Sequence, residues 1–297
     1  MLYGQTNIYS QYINHPSINL RGSAIELGSI TADLPFDGYV VVHFDGECYA
    51  SVGDRIVVAA SNDGNWTSND GNVGIENSMP GFGRPFSHTR VYPVTAGAHT
   101  FYAVGQNFVE TEGSGIATIY GTLTVEYFPD SGSAKVESTG FVFNGDVTNT
   151  TVVEEQTISV NAPGKIVVRF DGFITSSESD RIVLAASNTM NWSFNDGNVA
   201  VEAVNDGGDV DQNSFSHTRV YNVSSAGDYT YYALAQVYGK AFGTGMIWVY
   251  GNLLVEYFPT SESEKILSSG FSHTKIDLNG GPTWLTSIDL NAPESGK

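Results

Sequence analysis

The sequence predicts an all-β protein built of tandem antiparallel β-sandwich units of the jelly-roll type. One observation is composition: aromatic residues make up 12% of the chain, and β-branched and aromatic runs are separated by Gly, Asn, Asp and Ser. A second is the stretch Phe-Ser-His-Thr-Arg-Val-Tyr, which occurs unchanged at 86–92 and 215–221 inside a longer direct repeat. A third is that no long window has the apolar period of a helix.

The repeat divides the chain into four segments. Residues 1–13 form a polar, Tyr-rich arm, 14–129 the first sandwich and 130–259 the second, and both sandwiches end in Val-Glu-Tyr-Phe-Pro. Residues 260–297 comprise a linker and the opening strands of an incomplete third repeat. Two interpretations of that last segment are open. It is either part of a longer tandem array or a strand donated to a neighbouring molecule by β-addition.

Strand signals recur in both units in one order. A β-branched run comes first, followed by Asp-Arg-Ile-Val after a turn, the Phe-Ser-His-Thr-Arg-Val-Tyr strand, an aromatic strand, and a long closing strand that a proline ends. The signals lie at 39–44, 54–60, 86–92, 100–104 and 116–129 in the first unit, and at 166–170, 180–186, 215–221, 230–234 and 246–259 in the second. Short turns between strands favour antiparallel sheets.

Charge and composition limit the partners. The net charge of −19, from 32 acidic and 13 basic residues, excludes nucleic acid as an expected partner, because a polyanion would be repelled. No apolar stretch long enough to span a bilayer and no secretory signal is present, so membrane insertion is not expected. The single cysteine, Cys48, is expected to pack as a small apolar residue. We expect an extracellular location, or one on a cell or virion surface.

The order of these motifs resembles the jelly-roll globular head of the tumour-necrosis-factor and complement-head superfamily. The resemblance lies in a Gly-Tyr…Phe strand at 38–44, a Gly turn at 95–97 before the strand at 101–104, and a Gly-rich closing hairpin at 113–128. It covers most of each unit and implies a non-catalytic recognition or structural module, in some members with calcium bound in loops. Heads of that superfamily usually stand singly on a trimerising stalk, whereas here the units stand in tandem.

The repeated Phe-Ser-His-Thr-Arg-Val-Tyr strand is the first candidate site. Alternation places its aromatic residues, His88 and Arg90 on one face. If that face is buried, Arg90 needs a carboxylate; Asp54 is the candidate partner, and Asp180 would serve Arg219 in the second unit. If it is exposed, it forms a ridge of aromatic and cationic groups for a glycan or a protein. Nothing near His88 in the sequence indicates catalysis.

Two loops are further candidates. The repeated Asn-Trp-x-x-Asn-Asp-Gly-Asn motif has a Trp for stacking a sugar ring beside groups that bind hydroxyls, although turn chemistry alone also explains the motif. Its candidate ligand-binding residues are Trp66, Asn69, Asp70, Asn72, Trp192, Asn195, Asp196 and Asn198. The second loop contains Asp206, Asp209 and Asp211, which are either calcium ligands or solvated side chains.

We therefore expect a non-enzymatic repeat protein of a surface fibre, filament or adhesin, which assembles or binds through tandem units. The alternatives are a pair of carbohydrate-binding modules that use the Trp66 and Trp192 loops and, as a third hypothesis, a glycan-active enzyme. Self-association is expected through 268–297, with glycans as the second class of partner. Calcium is the one cofactor considered, since no phosphate loop, zinc spacing or nucleophile elbow is present.

Overall fold

The computed structural model describes residues 7–67, 72–76, 83–110, 113–176, 180–193, 198–202, 212–238, 243–260, 266, 268 and 287. In chain order its strands are β1 (Asn7–Asn19), β2 (Ile25–Leu34), β3 (Gly38–Ala50), β4 (Asp54–Ser61), β5 (Val73–Glu76), β6 (Arg84–Val94), β7 (Gly97–Glu110), β8 (Ile116–Pro129), β9 (Lys135–Asp146), β10 (Thr151–Val160), β11 (Gly164–Ser176), β12 (Arg181–Ser187), β13 (Val199–Glu202), β14 (Gln212–Val223), β15 (Gly227–Val237) and β16 (Met246–Pro259). The predicted all-β class is confirmed. No helix among the described residues has the length and apolar character needed to cross a membrane.

Each half of the chain forms a sandwich of two four-stranded sheets. The first unit has the strand orders β1-β8-β3-β6 and β2-β7-β4-β5, and the second unit repeats them as β9-β16-β11-β14 and β10-β15-β12-β13. All neighbouring pairs are antiparallel. These orders are those of an eight-stranded jelly roll, so the predicted jelly-roll architecture is confirmed in both units.

The start of the chain differs from expectation. The described part of the expected arm, 7–13, is the first half of β1, which pairs with β8 from Asn7 opposite Tyr127. Packing stabilises this strand, because the Ile13 side chain is buried in the core. Of the segment 260–297, only 260, 266, 268 and 287 are described. The expected third repeat, with its interpretation as a donor strand, therefore lies outside the described residues.

Each sandwich has its own apolar core, formed by alternate side chains of its strands. The two cores are built from equivalent positions, such as Val42 and Phe44 in the first unit and Val168 and Phe170 in the second. Cys48 is buried in the first core, as expected for a small apolar side chain. Glycine begins both β3 and β11 because a Cβ at Gly38 or Gly164 would lie 2.2 Å from a carbonyl oxygen of the closing strand.

The two units also pack against each other through the outer faces of the β1-β8-β3-β6 and β9-β16-β11-β14 sheets. Val41, Phe128 and Leu254 belong to a third apolar cluster between the units. The rings of Phe128 and Phe258, which occupy equivalent positions in the repeat, lie 5.8 Å apart. Equivalent residues thus face each other, as they do across a two-fold contact. This contact explains why the run 40–42 is apolar on both faces of β3.

Candidate functional site

Trp66 lies just after β4 and is held by two residues of β7. Its indole Nε1 donates a hydrogen bond of 2.7 Å to Gln106 Oε1. Its ring makes an edge-to-face contact with Phe108, with ring centroids 5.4 Å apart. Gln106 is fixed in turn, because its amide nitrogen donates to the carbonyl oxygen of Gly22. Trp66 is half-buried and Phe108 is 52% exposed, so the pair presents an aromatic surface to solvent.

The second unit builds the same arrangement. Trp192 Nε1 donates to Gln236 Oε1 over 2.8 Å, and the Trp192 ring meets Tyr238 edge to face with centroids 5.4 Å apart. Gln236 Oε1 also accepts a hydrogen bond of 2.7 Å from Thr150. Tyr238 is 39% exposed. We call these the first and second tryptophan sites, Trp66–Gln106–Phe108 and Trp192–Gln236–Tyr238.

The tryptophan sites can stack a flat apolar face of a ligand and bind polar groups at its edge. The Gln partner satisfies the indole N–H, so a half-exposed Trp is held in one orientation before any ligand arrives. The two sites differ in their second ring. Arg55 lies over Phe108 at 5.7 Å, whereas Tyr238 brings a phenol hydroxyl.

The rest of the Asn-Trp motif is placed only in part. Asn72 is buried, and its side-chain nitrogen donates to the carbonyl oxygen of Thr67 over 3.0 Å, a local bond that accords with turn chemistry. Asn198 is half-buried just before β13. The other candidates lie outside the described residues: Asn69, Asp70, Asn195, Asp196, Asp206, Asp209 and Asp211. Calcium binding in the acidic loop therefore stays a prediction.

His88 and its equivalent, His217, are buried, as in the interpretation that places this face of the repeated strand in the interior. His88 Nδ1 accepts a hydrogen bond of 2.8 Å from the Ala60 amide, and His217 Nδ1 accepts one of 2.9 Å from the Ala186 amide. Both imidazoles are buried and tie the two sheets of their sandwich together. They are structural histidines.

The structure corrects the expected ion pair between Arg90 and Asp54. Asp54 accepts hydrogen bonds from Asn107 Nδ2 at 2.7 Å and from the Gly115 amide at 2.8 Å, in place of an ion pair with Arg90. Asp54 lies at the start of β4, next to the connection between β7 and β8, and it fixes that connection.

Asp180 plays the same role in the second unit. It accepts the amides of Gly243 and Gly245, both at 2.9 Å. The guanidinium groups of Arg90 and Arg219 lie over the rings of Tyr92 and Tyr221, at 6.0 Å and 5.4 Å. Both arginines thus have an aromatic contact that the spacing of charges in the sequence does not indicate.

A polar cluster in the contact between the units was not predicted from the sequence. Arg169 of the second unit lies against the His43 ring of the first, with Arg169 Nη1 3.1 Å from His43 Nε2. His43 Nδ1 is 2.9 Å from Thr89 Oγ1, and Thr89 donates its hydroxyl to Asp171. Arg169 Nη1 also lies 2.5 Å from His43 Nδ1, so the guanidinium contacts both nitrogens of the ring.

Two acids complete this cluster. Glu126 and Glu256, equivalent residues of the repeat, hydrogen-bond to each other across the contact. Burial raises the pKa of both carboxyl groups, and that of Glu256 reaches about 8, so the pair holds a proton near neutral pH. Burial also raises the pKa of Asp171 to about 7, and nearby Asp45 adds to the effect, whereas Arg169 and the Thr89 hydroxyl oppose it.

The charge state of His43 follows from the same burial. Burial lowers the pKa of His43 well below its ordinary value, and the positive charge of Arg169 lowers it further, so the imidazole is neutral. His43, Glu126 and Glu256 each place a ligand atom within 4.8 Å of the others, a donor set that metal ions use. The Arg169 guanidinium already lies against the His43 ring and supplies the positive charge, so these residues do not fit a metal ion well.

Two signals in the sequence point to this cluster. The strands that carry it are apolar on both faces, as 40–42 and 253–255 show, which indicates burial on both sides. His43 also interrupts such a run at the position where the repeat has Arg169. Sequence reasoning about a single unit missed the cluster because its members come from opposite halves of the chain.

Comparisons with known proteins show similarity of fold alone. No protein-family model matches the chain, and no curated protein matches its sequence. PNGase F, a glycosylasparaginase from Flavobacterium meningosepticum, is 13% identical over 86% of this chain and 96% of that chain, with a TM-score of 0.39. The infectious bursal disease virus Gx strain structure is 10% identical over 88% and 75%, with a TM-score of 0.25. The STIV MCP is 9% identical over 84% and 95%, with a TM-score of 0.24.

One expectation is corrected by these similarities. Because PNGase F is an enzyme and is among the similar structures, a non-enzymatic protein no longer follows from the fold, and that expectation is overturned. The resemblance to tumour-necrosis-factor and complement heads stays a prediction.

Proposed function

We propose that the chain is a glycan-binding protein of the adhesin type, in which the first and second tryptophan sites bind two sugar units of one glycan or of neighbouring glycans. The observation that carries this proposal is the repeated site: a half-exposed Trp, held by a Gln and flanked by an exposed aromatic ring, occurs at the same place in both units. Exposed aromatic side chains with a satisfied indole N–H suit the apolar faces of sugar rings.

The packing of the two units supports binding at two points. The apolar cluster and the polar cluster join the units, so the two tryptophan sites keep one relative position. A rigid pair of weak sites binds a multivalent surface more tightly than either site alone. This is how an adhesin gains affinity from shallow sites, and a location on a cell or virion surface is part of the proposal.

The test is binding to an array of immobilised polysaccharides and N-glycans. We expect Trp66→Ala and Trp192→Ala each to lower the apparent affinity by about 10²-fold, since each change leaves a single site and removes the gain from avidity. The double variant should not bind. Trp248→Ala is the matched control, because Trp248 is 40% exposed on β16 and belongs to neither site.

The single variants also distinguish simultaneous binding at both sites from independent binding at each site. If binding to the array uses both sites at once, a soluble monovalent sugar should not show this loss. Its affinity for the intact site of each single variant should equal its affinity for the same site in the unchanged chain. If the double variant binds the array as the unchanged chain does, the proposed function is wrong.

A further inference from the structure

A cleft of about 260 Å³ opens between the two units, and no residue of either tryptophan site belongs to its described lining. Strands β5 and β6 of the first unit line one side, and β13 and β14 of the second unit line the other. Its walls therefore come from equivalent strands of the repeat. The volume is just below the usual range of drug-sized pockets and suits a ligand of about one sugar ring or one amino-acid residue.

Arg84 makes this cleft positive. It lines the cleft, and its Nε atom is buried without a hydrogen-bond partner among the described residues. The equivalent position in the second unit is Asn213, which also lines the cleft, so one guanidinium faces one amide across it. A buried guanidinium N–H without an acceptor is costly, and an acceptor brought by a ligand would remove that cost.

Gln212 adds a second donor. Its Oε1 accepts a hydrogen bond of 3.1 Å from Arg55 Nε, which leaves the amide nitrogen of the side chain as a donor. Gln212 is buried and lines the cleft. Ser214, also in the lining, donates its hydroxyl to the carbonyl oxygen of Pro85 and so joins the two walls.

No carboxylate belongs to the described lining, although the chain has 32 acidic residues. The described lining thus combines one guanidinium and amide donors without a negative side chain, in a protein of net charge −19. Planar carboxylates match the fork of donors that a guanidinium presents.

We propose that the cleft between the units binds the carboxylate of a small organic acid, with Arg84 as the charged partner and Gln212 and Asn213 as neutral ones. Two sources share this chemistry: a uronic acid at the end of a glycan and the C-terminal carboxylate of a peptide. The proposal goes beyond the tryptophan sites and does not depend on them.

The experiment is a calorimetric titration of the full chain with D-glucuronate and with N-acetylalanine. Each acid is compared with its neutral amide, D-glucuronamide or N-acetylalanine amide, which has the same shape without the charge. We expect one or both acids to bind and to bind at least about tenfold more tightly than the matching amide, because a charge-assisted hydrogen bond is lost in the amide. The acid that binds more tightly identifies the source.

Variants assign the binding to the cleft. Arg84→Gln should weaken binding of the acid at least about tenfold, whereas Arg21→Gln, which changes an exposed arginine at the β1–β2 turn, should not. Asn213→Asp keeps the size of the side chain and places a negative charge opposite Arg84, so it should also weaken binding. This second variant tests the proposal if Arg84→Gln fails to fold. Trp66→Ala with Trp192→Ala should leave binding of the acid unchanged.

Three results would overturn the proposal: amides that bind as well as acids, Arg84→Gln and Asn213→Asp variants that bind as the unchanged chain does, or no binding of either acid. A further variant, which combines Asp206→Asn, Asp209→Asn and Asp211→Asn, tests whether carboxylates of the chain itself fill the cleft. Unchanged affinity in that variant supports an external ligand, and much tighter binding of the acid counts against one.

Discussion

The two units differ at a position of their contact where equivalent residues meet. The first unit has His43 where the second has Arg169, and the two side chains touch. Because the contact brings equivalent positions together, two identical units would place two imidazoles or two guanidinium groups against each other. One neutral ring and one cation avoid that repulsion, and the Arg169 cation lies near the buried acids Asp171 and Glu256 and the half-buried Glu126.

The glutamates teach the complementary lesson. Glu126 and Glu256 are the same residue in both units and also meet. Two like acids can share a position of this kind only if they hold a proton between them, whereas two arginines have no proton to give up near neutral pH. Where equivalent residues of the two units meet, both can therefore be glutamate, but both cannot be arginine.

The largest expected effect comes from removing the cation. Arg169→Met keeps much of the side-chain volume and leaves the buried acids without positive charge, which should lower the free energy of unfolding by about 3–5 kcal/mol. Urea unfolding at pH 7 measures it. Arg181→Met, at an exposed arginine of β12, is the control and should change stability by less than about 0.5 kcal/mol. Equal effects of the two variants would mean that Arg169 has no special role between the units.

The aspartates at the start of β4 and β12 offer a second comparison. Among the described residues, Asp54 accepts hydrogen bonds from one side chain and one amide, whereas Asp180 accepts them from two backbone amides, which cannot turn away. We expect Asp54→Asn and Asp180→Asn each to cost about 1–3 kcal/mol, and Asp180→Asn to cost more. Urea unfolding of both variants gives the order. The reverse order would show that the hydrogen bond from the Asn107 side chain stabilises the first unit more than the corresponding backbone bond stabilises the second.

The polar cluster should make stability depend on pH. Asp171 and Glu256 have folded-state pKa values of about 7 and about 8, above the ordinary values of 3.8 and 4.5, so the folded state binds more protons than the unfolded state between these limits. Stability from these groups is therefore fully present at low pH and is lost as pH rises, by up to about 1.4 kcal/mol per pH unit for each group.

His43 opposes this trend below its ordinary pKa of 6.5, because its pKa in the folded state is lowered and only the unfolded state takes up the proton there. The clear window is thus pH 6.5 to 8, where thermal midpoints should fall as pH rises. Glu256→Gln keeps the shape of the side chain without its titration and should flatten the slope. A slope that Glu256→Gln leaves unchanged would assign the titration to other groups.

Local patterns in the sequence predict the strands well, and they leave the partners of polar side chains open. Alternation placed His88 and Arg90 on one face, and His88 is buried on that face as the buried interpretation required. Alternation could not show that His88 accepts from the Ala60 amide, or that Asp54 bonds Gly115, because both contacts depend on how the sheets stack. Turn chemistry and hydrophobic period are local, whereas these bonds join distant strands.

The tryptophan sites were partly predictable for the same reason. The repeated motif identified Trp66 and Trp192 directly. Their partners Gln106 and Gln236 lie on β7 and β15, about forty residues further along the chain. The contact between the units was harder to predict. When both faces of a strand are apolar, no local pattern indicates which face packs on the other sheet of its sandwich and which packs on the other unit.

The smallest expected effect lies in the second ring of each tryptophan site. Phe108→Tyr gives the first site the phenol hydroxyl of the second, and Tyr238→Phe removes it there; both rings are exposed, so stability should change by less than about 0.5 kcal/mol. A hydroxyl that bonds a sugar contributes about 1 kcal/mol, so the first change should tighten and the second should weaken binding several-fold. Calorimetry with a soluble glycan chosen from the array measures each site alone when the other Trp is Ala. Phe36→Tyr, on an exposed ring outside both sites, is the control. If both changes shift affinity in the same direction, the difference between Phe108 and Tyr238 does not set ligand preference, and the two units bind alike.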